Sequence, residues 1–212
     1  MSENQPLKHI AVSGNIGSGK TSLTELLAKH YNWEPLYESV DNNPYLADFY
    51  EDMQRWAFHL QIYFLNSRFS QVKAIRGSDK PIIQDRTIYE DAYIFASYLH
   101  QAGNISDRDY QSYLDIFHSM IDFVEAPDLL IYLRSDVPKL VNQIEKRGRD
   151  YEYAMRIDYL RNLNEYYEKW IGDYTNGKLL IVDVNELDFV ANIEDFSSIV
   201  ERIDLETHGL FS

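Results

Sequence analysis

Apolar residues along the chain alternate between short continuous runs and longer stretches with helical spacing. The short runs are rich in β-branched or aliphatic residues and predict five strands, at about residues 9–13, 35–38, 81–84, 129–133 and 179–183. Apolar positions at intervals of three and four predict helices between them, at 20–31, about 45–75, 87–101, 107–124, 136–147, 153–174 and 191–204. Strands that alternate with helices predict an α/β fold, in which helices cover both faces of a parallel sheet. Without a linker, repeat or low-complexity tract, the pattern favours a single domain over residues 1–212.

The connection after the first predicted strand carries a phosphate-binding motif. Its residues fit the pattern Gly-x-x-x-x-Gly-Lys-[Ser/Thr] and are Gly14, Asn15, Ile16, Gly17, Ser18, Gly19, Lys20 and Thr21. Glycines let several backbone N–H groups point at one anion, Lys20 adds a positive charge, and the Thr21 hydroxyl can hold Mg²⁺. The preceding strand and following helix disfavour the alternative of a glycine-rich turn that binds nothing. The motif therefore predicts a site for nucleotide phosphates.

Polar residues follow three further strands, where open parallel sheets bind their ligands. Glu38 follows the second strand, Asp85 and Arg86 follow the third, and Asp183 and Glu186 follow the fifth. Together with the phosphate loop, four strand ends are predicted to face one crevice.

Basic residues are concentrated in one segment of an otherwise acidic chain. Residues 134–161 hold seven Lys or Arg and five Asp or Glu, whereas the whole chain has a formal net charge of −14. Gly148 permits a bend that brings Arg147 and Arg149 to one anion. The segment predicts an arginine-bearing phosphate lid at about 143–156, with a solvated helix end stabilised by the helix dipole as the alternative.

Charge and composition restrict the partners. A net charge of −14 disfavours nucleic acid polymers and anionic lipid surfaces, so a small-molecule substrate is expected. The chain has no cysteine, which excludes disulfides and thiolate chemistry. With no signal-like N-terminus and no run of 18 apolar residues, we expect a soluble cytoplasmic protein with no membrane partner.

The phosphate loop alone leaves several classes of protein open. The absence of an Asn-Lys-x-Asp segment argues against a GTPase. Leu179-Leu180-Ile181-Val182-Asp183 leaves open an ATPase or nucleotide-binding module that uses Asp183 for its metal. A small-molecule kinase needs a carboxylate that orients the acceptor and arginines that close over the phosphates, and this chain offers both.

The long predicted helix places polar residues on a mainly apolar face. Tyr50, Ala57, Gln61, Phe64 and Arg68 share one face of this helix. Core packing would explain the apolar members, as it would Trp56 and Leu60. Gln61 and Arg68 instead need partners, because burying them unpaired costs several kcal/mol.

A nucleobase edge would satisfy Gln61, and Asp91 could pair with Arg68. Phe95 lies one helical turn after Asp91 and would stack on the base or form a wall of its pocket.

Taken together, these segments resemble the deoxyribonucleoside kinases over nearly the whole chain. The resemblance is carried by the phosphate loop, Glu38, Tyr50 to Arg68, Asp85-Arg86-Thr87 with Asp91, Arg147-Gly148-Arg149 and Asp183-Val184-Asn185-Glu186. It implies a P-loop kinase fold with ATP as phosphate donor and Mg²⁺ as cofactor. It also implies a homodimer built on helices.

The family resemblance implies a role for each catalytic and donor-site residue. Glu38 would accept or orient the proton of the nucleoside 5′-hydroxyl, and Arg86 would lie between that oxygen and the transferring phosphoryl group. Asp85 would order Mg²⁺ together with Thr21. Lys20, Arg147 and Arg149 would hold the donor phosphates, and Glu186 and Phe189 would lie at the donor base.

For the acceptor, the resemblance assigns Tyr50 and Glu152 to the deoxyribose 3′-hydroxyl. Leu46, Trp56 and Leu60 would shape the pocket wall. An Arg and Asp pair at positions 68 and 91 goes with purine and cytosine bases, so the favoured acceptor is deoxyadenosine, with deoxyguanosine or deoxycytidine as secondary acceptors and thymidine disfavoured. A kinase of another small hydroxyl compound stays open as the alternative.

Overall fold

The computed structural model describes residues 7–38, 40 and 43–208. These residues form a five-stranded parallel sheet with the strand order β2-β3-β1-β4-β5. The strands are β1 (His9–Gly14), β2 (Glu34–Leu36), β3 (Ile82–Asp85), β4 (Leu129–Arg134) and β5 (Lys178–Asp183). The predicted α/β fold with a five-stranded parallel sheet is confirmed, and β1, which leads into the phosphate loop, is its central strand.

Helices flank both faces of the sheet. They are α1 (Lys20–Tyr31), α2 (Leu46–Glu51), α3 (Met53–Gly77), α4 (Ile88–Glu90), α5 (Ser97–Gln101), α6 (Asp107–Ile121), α7 (Val137–Arg147), α8 (Ile157–Gly172) and α9 (Ile193–His208). A π-helical stretch, Asp91–Ala96, joins α4 to α5, and a 3₁₀ turn, Asp150–Ala154, precedes α8.

Successive residues of β1 point to opposite layers of the core, as the twofold period of a strand requires. Ile10 and Val12 pack in the layer that contains α1 and α9, whereas Ala11 packs in the layer that contains α3 and α8. All three side chains are fully buried. Burial on both faces explains why the strand reads as a continuous apolar run.

The long helix predicted over about 45–75 is two helices. Asp52 separates α2 from α3 with φ −142° and ψ 85°, outside the helical region. Its side chain accepts a hydrogen bond from the backbone N–H of Arg55 at 3.1 Å and so caps α3. An Asp that caps a new helix supplies the break that the apolar spacing alone does not show.

Two other elements differ from the sequence-based boundaries. β2 ends at Leu36, so Glu38 lies in the connection beyond the strand. The helix predicted from residue 153 begins at Ile157, because the 3₁₀ turn occupies the preceding residues. Among the described residues, no helix has the length and apolar character needed to cross a membrane.

Candidate active site

Two cavities adjoin at the carboxyl ends of β1 and β3. The first, which we call the α3 cavity, has a volume of about 430 Å³; its lining includes Glu38, Tyr50, Gln61, Asp85, Asp91 and Glu152. The second, the α7 cavity, has a volume of about 390 Å³; its lining includes Ser135, Lys139, Gln143, Lys146, Leu187 and Phe189. Both are lined by Gly17, Lys20, Thr21, Arg147 and Arg149. The phosphate loop and the lid arginines therefore lie where two binding spaces meet.

Close packing and positive φ angles restrict three positions of the phosphate loop to glycine, namely Gly14, Gly17 and Gly19. Gly17 has φ 86°, and a Cβ there would lie 2.7 Å from the carbonyl oxygen of Leu140 on α7. Gly19 has φ 93°, and a Cβ there would lie 2.8 Å from Cζ of Phe189. The loop thus packs directly against α7 and the segment after β5.

Lys20 is buried at the start of α1 and donates a hydrogen bond to the carbonyl oxygen of Asn15 at 3.0 Å. Burial and the nearby Arg86 lower the pKa of Lys20 to about 8, although Asp85 and Glu38 oppose this shift. The Asn15 side chain in turn donates to the carbonyl oxygen of Leu160 on α8 at 2.9 Å. The phosphate loop is therefore also held to α8, through the Asn15 side chain.

Thr21 and Asp85 form the polar pair expected of a magnesium site. The Thr21 hydroxyl donates to Asp85 Oδ2 at 2.5 Å, and Asp85 Oδ1 is buried without a hydrogen-bond partner. No group of three or more His, Cys, Asp or Glu among the described residues could hold a metal by itself. These two oxygen donors fit a Mg²⁺ ion that takes its remaining ligands from donor phosphates and water.

Asp183, the alternative metal carboxylate, lies elsewhere. It ends the edge strand β5, is exposed, and lines neither cavity. Its Oδ1 accepts a hydrogen bond from the backbone N–H of Asn185 at 3.0 Å. Asp85, on the strand beside β1, is the carboxylate that contacts the phosphate loop.

Glu38 lies between two buried arginines. Arg68 Nη2 donates to Glu38 Oε1 at 2.7 Å, and Arg86 Nε lies 3.2 Å from the same oxygen. Burial favours a raised pKa for Glu38, but Arg86, Arg68 and Lys20 outweigh it and hold the pKa below its ordinary value. Glu38 is therefore a carboxylate at neutral pH, on the wall of the α3 cavity.

The backbone conformation after β3 directs the Arg86 side chain into the α3 cavity. Arg86 has φ 70°, unusual for a residue other than glycine, and its N–H donates to the carbonyl oxygen of Val12 at 2.9 Å. A capping box between Thr87 and Glu90 begins α4 directly afterwards. The Arg86 guanidinium lies 4.4 Å from the centre of the Phe95 ring.

Gln61 and Asp91 place polar groups deep in the α3 cavity. Gln61 is 2% exposed, and its Oε1 has no hydrogen-bond partner. Asp91 Oδ2 accepts a hydrogen bond from Arg68 Nε at 3.2 Å, which confirms the predicted Arg68 and Asp91 pair. Burial raises the pKa of Asp91 to about 7, even though Arg68 pulls it down.

The lid arginines are paired with Glu152. Arg147 donates to both Glu152 oxygens, at 2.5 and 3.2 Å, and Arg149 Nη1 lies 3.9 Å from Oε1. Glu152 is 6% exposed and lies in the 3₁₀ turn rather than on a solvated helix. The Tyr50 ring stacks on the Tyr151 ring, with centroids 5.9 Å apart, so α2 and the lid meet beside Glu152.

Most predicted acceptor-site residues line the α3 cavity, and those on the wall include Leu46, Leu60 and Phe95. Trp56 does not: it packs beside Tyr45 and His59 outside both cavities. The prediction that Trp56 shapes the pocket wall has no support in this geometry, because the turn of α3 directs Ala57, Leu60 and Gln61 inward instead.

Of the two residues predicted to lie at the donor base, Phe189 lines the α7 cavity and is buried against Gly19. Glu186 is exposed and lines neither cavity, whereas its neighbour Leu187 does.

Several lining residues were not singled out from the sequence. Phe49, Tyr151 and Tyr159 line the α3 cavity, and their aromatic character alone does not distinguish them from core residues. Lys139 also lines the α7 cavity, as does Lys146 of the basic segment 134–161. Its position seven residues before Lys146 places both lysines on one face of a predicted helix, and this spacing was a signal that could have identified Lys139.

The fold, the phosphate loop and the adjoining cavities define an α/β P-loop kinase. Comparison with known proteins then identifies the family. The family model described as deoxynucleoside kinase matches residues 10–207, and the chain belongs to this family.

Individual relatives agree with this membership. The chain is 38% identical to a deoxyadenosine/deoxycytidine kinase of Bacillus subtilis (strain 168) over 201 residues, which covers 94% of this chain and 93% of the relative. It is 37% identical to a deoxyguanosine kinase of Lactobacillus johnsonii, with 92% and 90% covered. A solved structure of deoxyadenosine kinase from M. mycoides with bound dATP superposes with a TM-score of 0.82 at 30% identity, over 92% of this chain and 98% of that chain.

Proposed function

We propose that this deoxynucleoside kinase transfers the γ-phosphoryl group of ATP to the 5′-hydroxyl of deoxyadenosine, with deoxycytidine or deoxyguanosine as secondary acceptors. The main support for the proposal is that the α3 cavity and the α7 cavity meet at Lys20, Thr21 and the lid arginines. Glu38 lines the α3 cavity. In this arrangement the nucleoside occupies the α3 cavity, and the donor nucleotide extends from the phosphate loop into the α7 cavity.

The polar groups of the α3 cavity favour a base that carries an amino group. The Asp91 carboxylate accepts hydrogen bonds when ionised, and the amide of Gln61, which lines the same cavity, has a free acceptor oxygen. The Arg68 donors are already engaged by Asp91, Glu38 and the carbonyl oxygen of Asp85. Adenine and cytosine offer an amino group to such a site, whereas thymine presents a carbonyl oxygen that a carboxylate repels. Guanine also carries an amino group, but it presents a carbonyl oxygen at the position of the adenine amino group, which supports deoxyadenosine over deoxyguanosine.

Phosphoryl transfer needs positioning and charge neutralisation more than covalent chemistry by the protein. Glu38 accepts a hydrogen bond from the 5′-hydroxyl and orients that oxygen toward the γ-phosphorus. Because its pKa is lowered, Glu38 is an orienting carboxylate that receives the proton as the new O–P bond forms. Arg86 and Lys20 stabilise the charge that develops between acceptor and donor oxygens.

The lid completes the donor site. Arg147 and Arg149 line both cavities and close over the donor phosphates, which compete with Glu152 for the same guanidiniums. The freed Glu152 carboxylate, with Tyr50, binds the 3′-hydroxyl of the acceptor sugar. Thr21 and Asp85 would hold Mg²⁺, which neutralises charge on the phosphoryl oxygens when it is bound.

An acceptor panel tests the proposal. Purified protein is incubated with Mg-ATP and each of the four deoxynucleosides, and 5′-monophosphates are separated by chromatography. We expect the highest kcat/KM with deoxyadenosine and the lowest with thymidine. Formation of no 5′-monophosphate from any of the four would refute the proposal, and a preference for thymidine would refute the assignment of the base site.

The two alternative functions, an ATPase and a kinase of another hydroxyl compound, predict different activities for the protein and its variants. An ATPase that uses Asp183 would hydrolyse ATP steadily without an acceptor and would be damaged more by Asp183→Asn than by Asp85→Asn. We expect the reverse order, because only Asp85 contacts Thr21. A kinase of another small hydroxyl compound would phosphorylate that compound at a higher kcat/KM than any deoxynucleoside.

A further inference from the structure

The side chain of Gln71, on α3, holds the backbone that leads to Glu38. β2 ends at Leu36, so Glu38 lies outside the hydrogen-bond ladder of the sheet. Gln71 Nε2 donates a hydrogen bond to the carbonyl oxygen of Tyr37 at 2.6 Å. A helix side chain therefore fixes the peptide immediately before Glu38.

The acceptor end of the same amide contacts the guanidinium that binds Glu38. Gln71 Oε1 lies 3.4 Å from Arg68 Nη1, which also donates to the carbonyl oxygen of Asp85 at 2.9 Å. Arg68 Nη2 is the group that donates to Glu38 at 2.7 Å. The amide orientation is determined, because the Tyr37 carbonyl can only accept and the guanidinium can only donate. Gln71 thus contacts both the backbone and the ion-pair partner of Glu38.

The central strands of the sheet support Gln71. Gln84 on β3 is 2% exposed, and its Nε2 donates to Gln71 Oε1 at 2.8 Å. Gln84 Oε1 lies 3.1 Å from Nε2 of the buried His9 on β1, which acts as the donor because the Gln84 amide nitrogen is already directed at Gln71. A continuous set of polar contacts therefore runs from β1 through β3 to the connection that carries Glu38.

We propose that Gln71 is a positioning residue that fixes the Glu38 carboxylate for the reaction. The inference rests on the proposed role of Glu38 in orienting the 5′-hydroxyl. Gln71 lines neither cavity, so it acts on the acceptor through Glu38 and Arg68 and not by contact with substrate. A displacement of about 1 Å at a reacting group can reduce the rate by about a hundredfold.

Substitution of Gln71 by a residue of similar length tests this role. Gln71→Met removes both hydrogen-bonding groups, and we expect kcat for deoxyadenosine to fall about tenfold to a hundredfold while KM for ATP stays within about twofold. Gln71→Glu keeps an acceptor for Gln84 and Arg68 but loses the donor to Tyr37, and we expect a fall in kcat as well. It also serves as the second variant if Gln71→Met does not fold. The matched control is Gln54→Met, at an exposed position near the start of the same helix.

A double-mutant cycle separates positioning from general loss of structure. If Gln71 acts through Glu38, Gln71→Met in a Glu38→Gln background causes no further fall in kcat. An equal fall in both backgrounds, or no fall in the single variants, overturns the inference. Wild-type protein is measured first. If it phosphorylates no deoxynucleoside, the proposed function is refuted. If it phosphorylates deoxyadenosine and the Gln71 variants do so at the same rate, only this inference is refuted.

Discussion

Glu38 and Asp91 bind the same arginine, yet their pKa values shift in opposite directions. The Asp91 side chain is 3% exposed and that of Glu38 is 19% exposed, so desolvation acts more strongly on Asp91. Arg86 also lies 3.2 Å from Glu38, and Lys20 favours its ionised form, whereas the charges of Glu38 and Glu90 oppose ionisation of Asp91. One carboxylate is therefore ionised throughout the neutral range, and the other titrates near pH 7.

Removing the Glu38 charge should impair chemistry more than binding. For Glu38→Gln we expect kcat with deoxyadenosine to fall about a hundredfold or more with a smaller change in KM, because the amide accepts the 5′-hydroxyl proton poorly. Steady-state kinetics with Mg-ATP measure the effect. The control is Glu34→Gln, an exposed carboxylate on β2 four residues earlier, for which we expect wild-type rates. Wild-type rates in Glu38→Gln would remove this residue from the mechanism.

Titration of Asp91 should make base recognition depend on pH. Its folded-state pKa is raised to about 7, so the accepting carboxylate is present above that pH and is lost as pH falls. We expect kcat/KM for deoxyadenosine to decrease about tenfold per unit of pH below 7. Kinetics from pH 5.5 to 8 test this, with Asp91→Asn as comparison: its lower but flatter profile is expected. A step near pH 7 that persists in Asp91→Asn would assign the titration to another group.

At the scale of elements, the phosphate loop and the lid helix act as one unit. Gly17 packs against α7 at Leu140 and Ile144, and Ile144 lies three residues before Arg147, the last residue of this helix. A change in the conformation of the phosphate loop is therefore expected to displace α7, the helix that ends at Arg147. We expect donor phosphates bound in the loop to affect the position of the lid through this contact.

Gly17→Ala should disrupt that unit. The added Cβ would lie 2.7 Å from the Leu140 carbonyl oxygen, and φ 86° is unfavourable for alanine. We expect KM for ATP to rise at least tenfold and α7 to shift, as seen by kinetics and by hydrogen exchange of α7 amides. Gly77→Ala at the end of α3 is the control, because nothing lies within 4 Å of its added Cβ. Equal KM values for both variants would contradict the packing argument.

The sequence predicted elements that follow apolar runs more accurately than boundaries that depend on a single hydrogen bond. Apolar runs predicted all five strands within a few residues, and the signal is continuous in β1, β3 and β4 because these strands are buried on both faces. The break at Asp52 and the π-helical stretch at Asp91–Ala96 lie within apolar spacing that looks uninterrupted, since one capping bond or one wider turn changes it only locally. Boundaries set by single hydrogen bonds are therefore the ones that periodicity misses.

At the scale of the whole molecule, positive charge is concentrated around the α7 cavity of an acidic chain. The α7 cavity is lined by Lys20, Lys139, Lys146, Arg147 and Arg149, with Asp188 as its one acidic lining residue among those described. The chain carries a net charge of −14. This distribution attracts a small polyphosphate to one place while the remaining surface repels larger polyanions.

The chain is expected to form a homodimer through its helices. Tyr93, 44% exposed in the π-helical stretch, and Ile116, 39% exposed on α6, offer apolar surface on neighbouring elements. Sedimentation velocity should show twice the mass of one chain, and Tyr93→Asp should shift the population toward monomer. Tyr153→Asp, on the exposed lid, is the control and should leave the mass unchanged. A single-chain mass at all concentrations would contradict the dimer.

The sequence by itself determined the α/β elements, the phosphate loop and the identities of the charged residues at the strand ends. These depend on local spacing and residue chemistry, which a linear pattern preserves. Only the tertiary structure decided that Asp85 rather than Asp183 contacts Thr21, and that Arg68, besides its predicted partner Asp91, also contacts Glu38 and Gln71. Such contacts join residues on different elements, and their geometry follows from strand order and helix packing rather than from spacing along the chain.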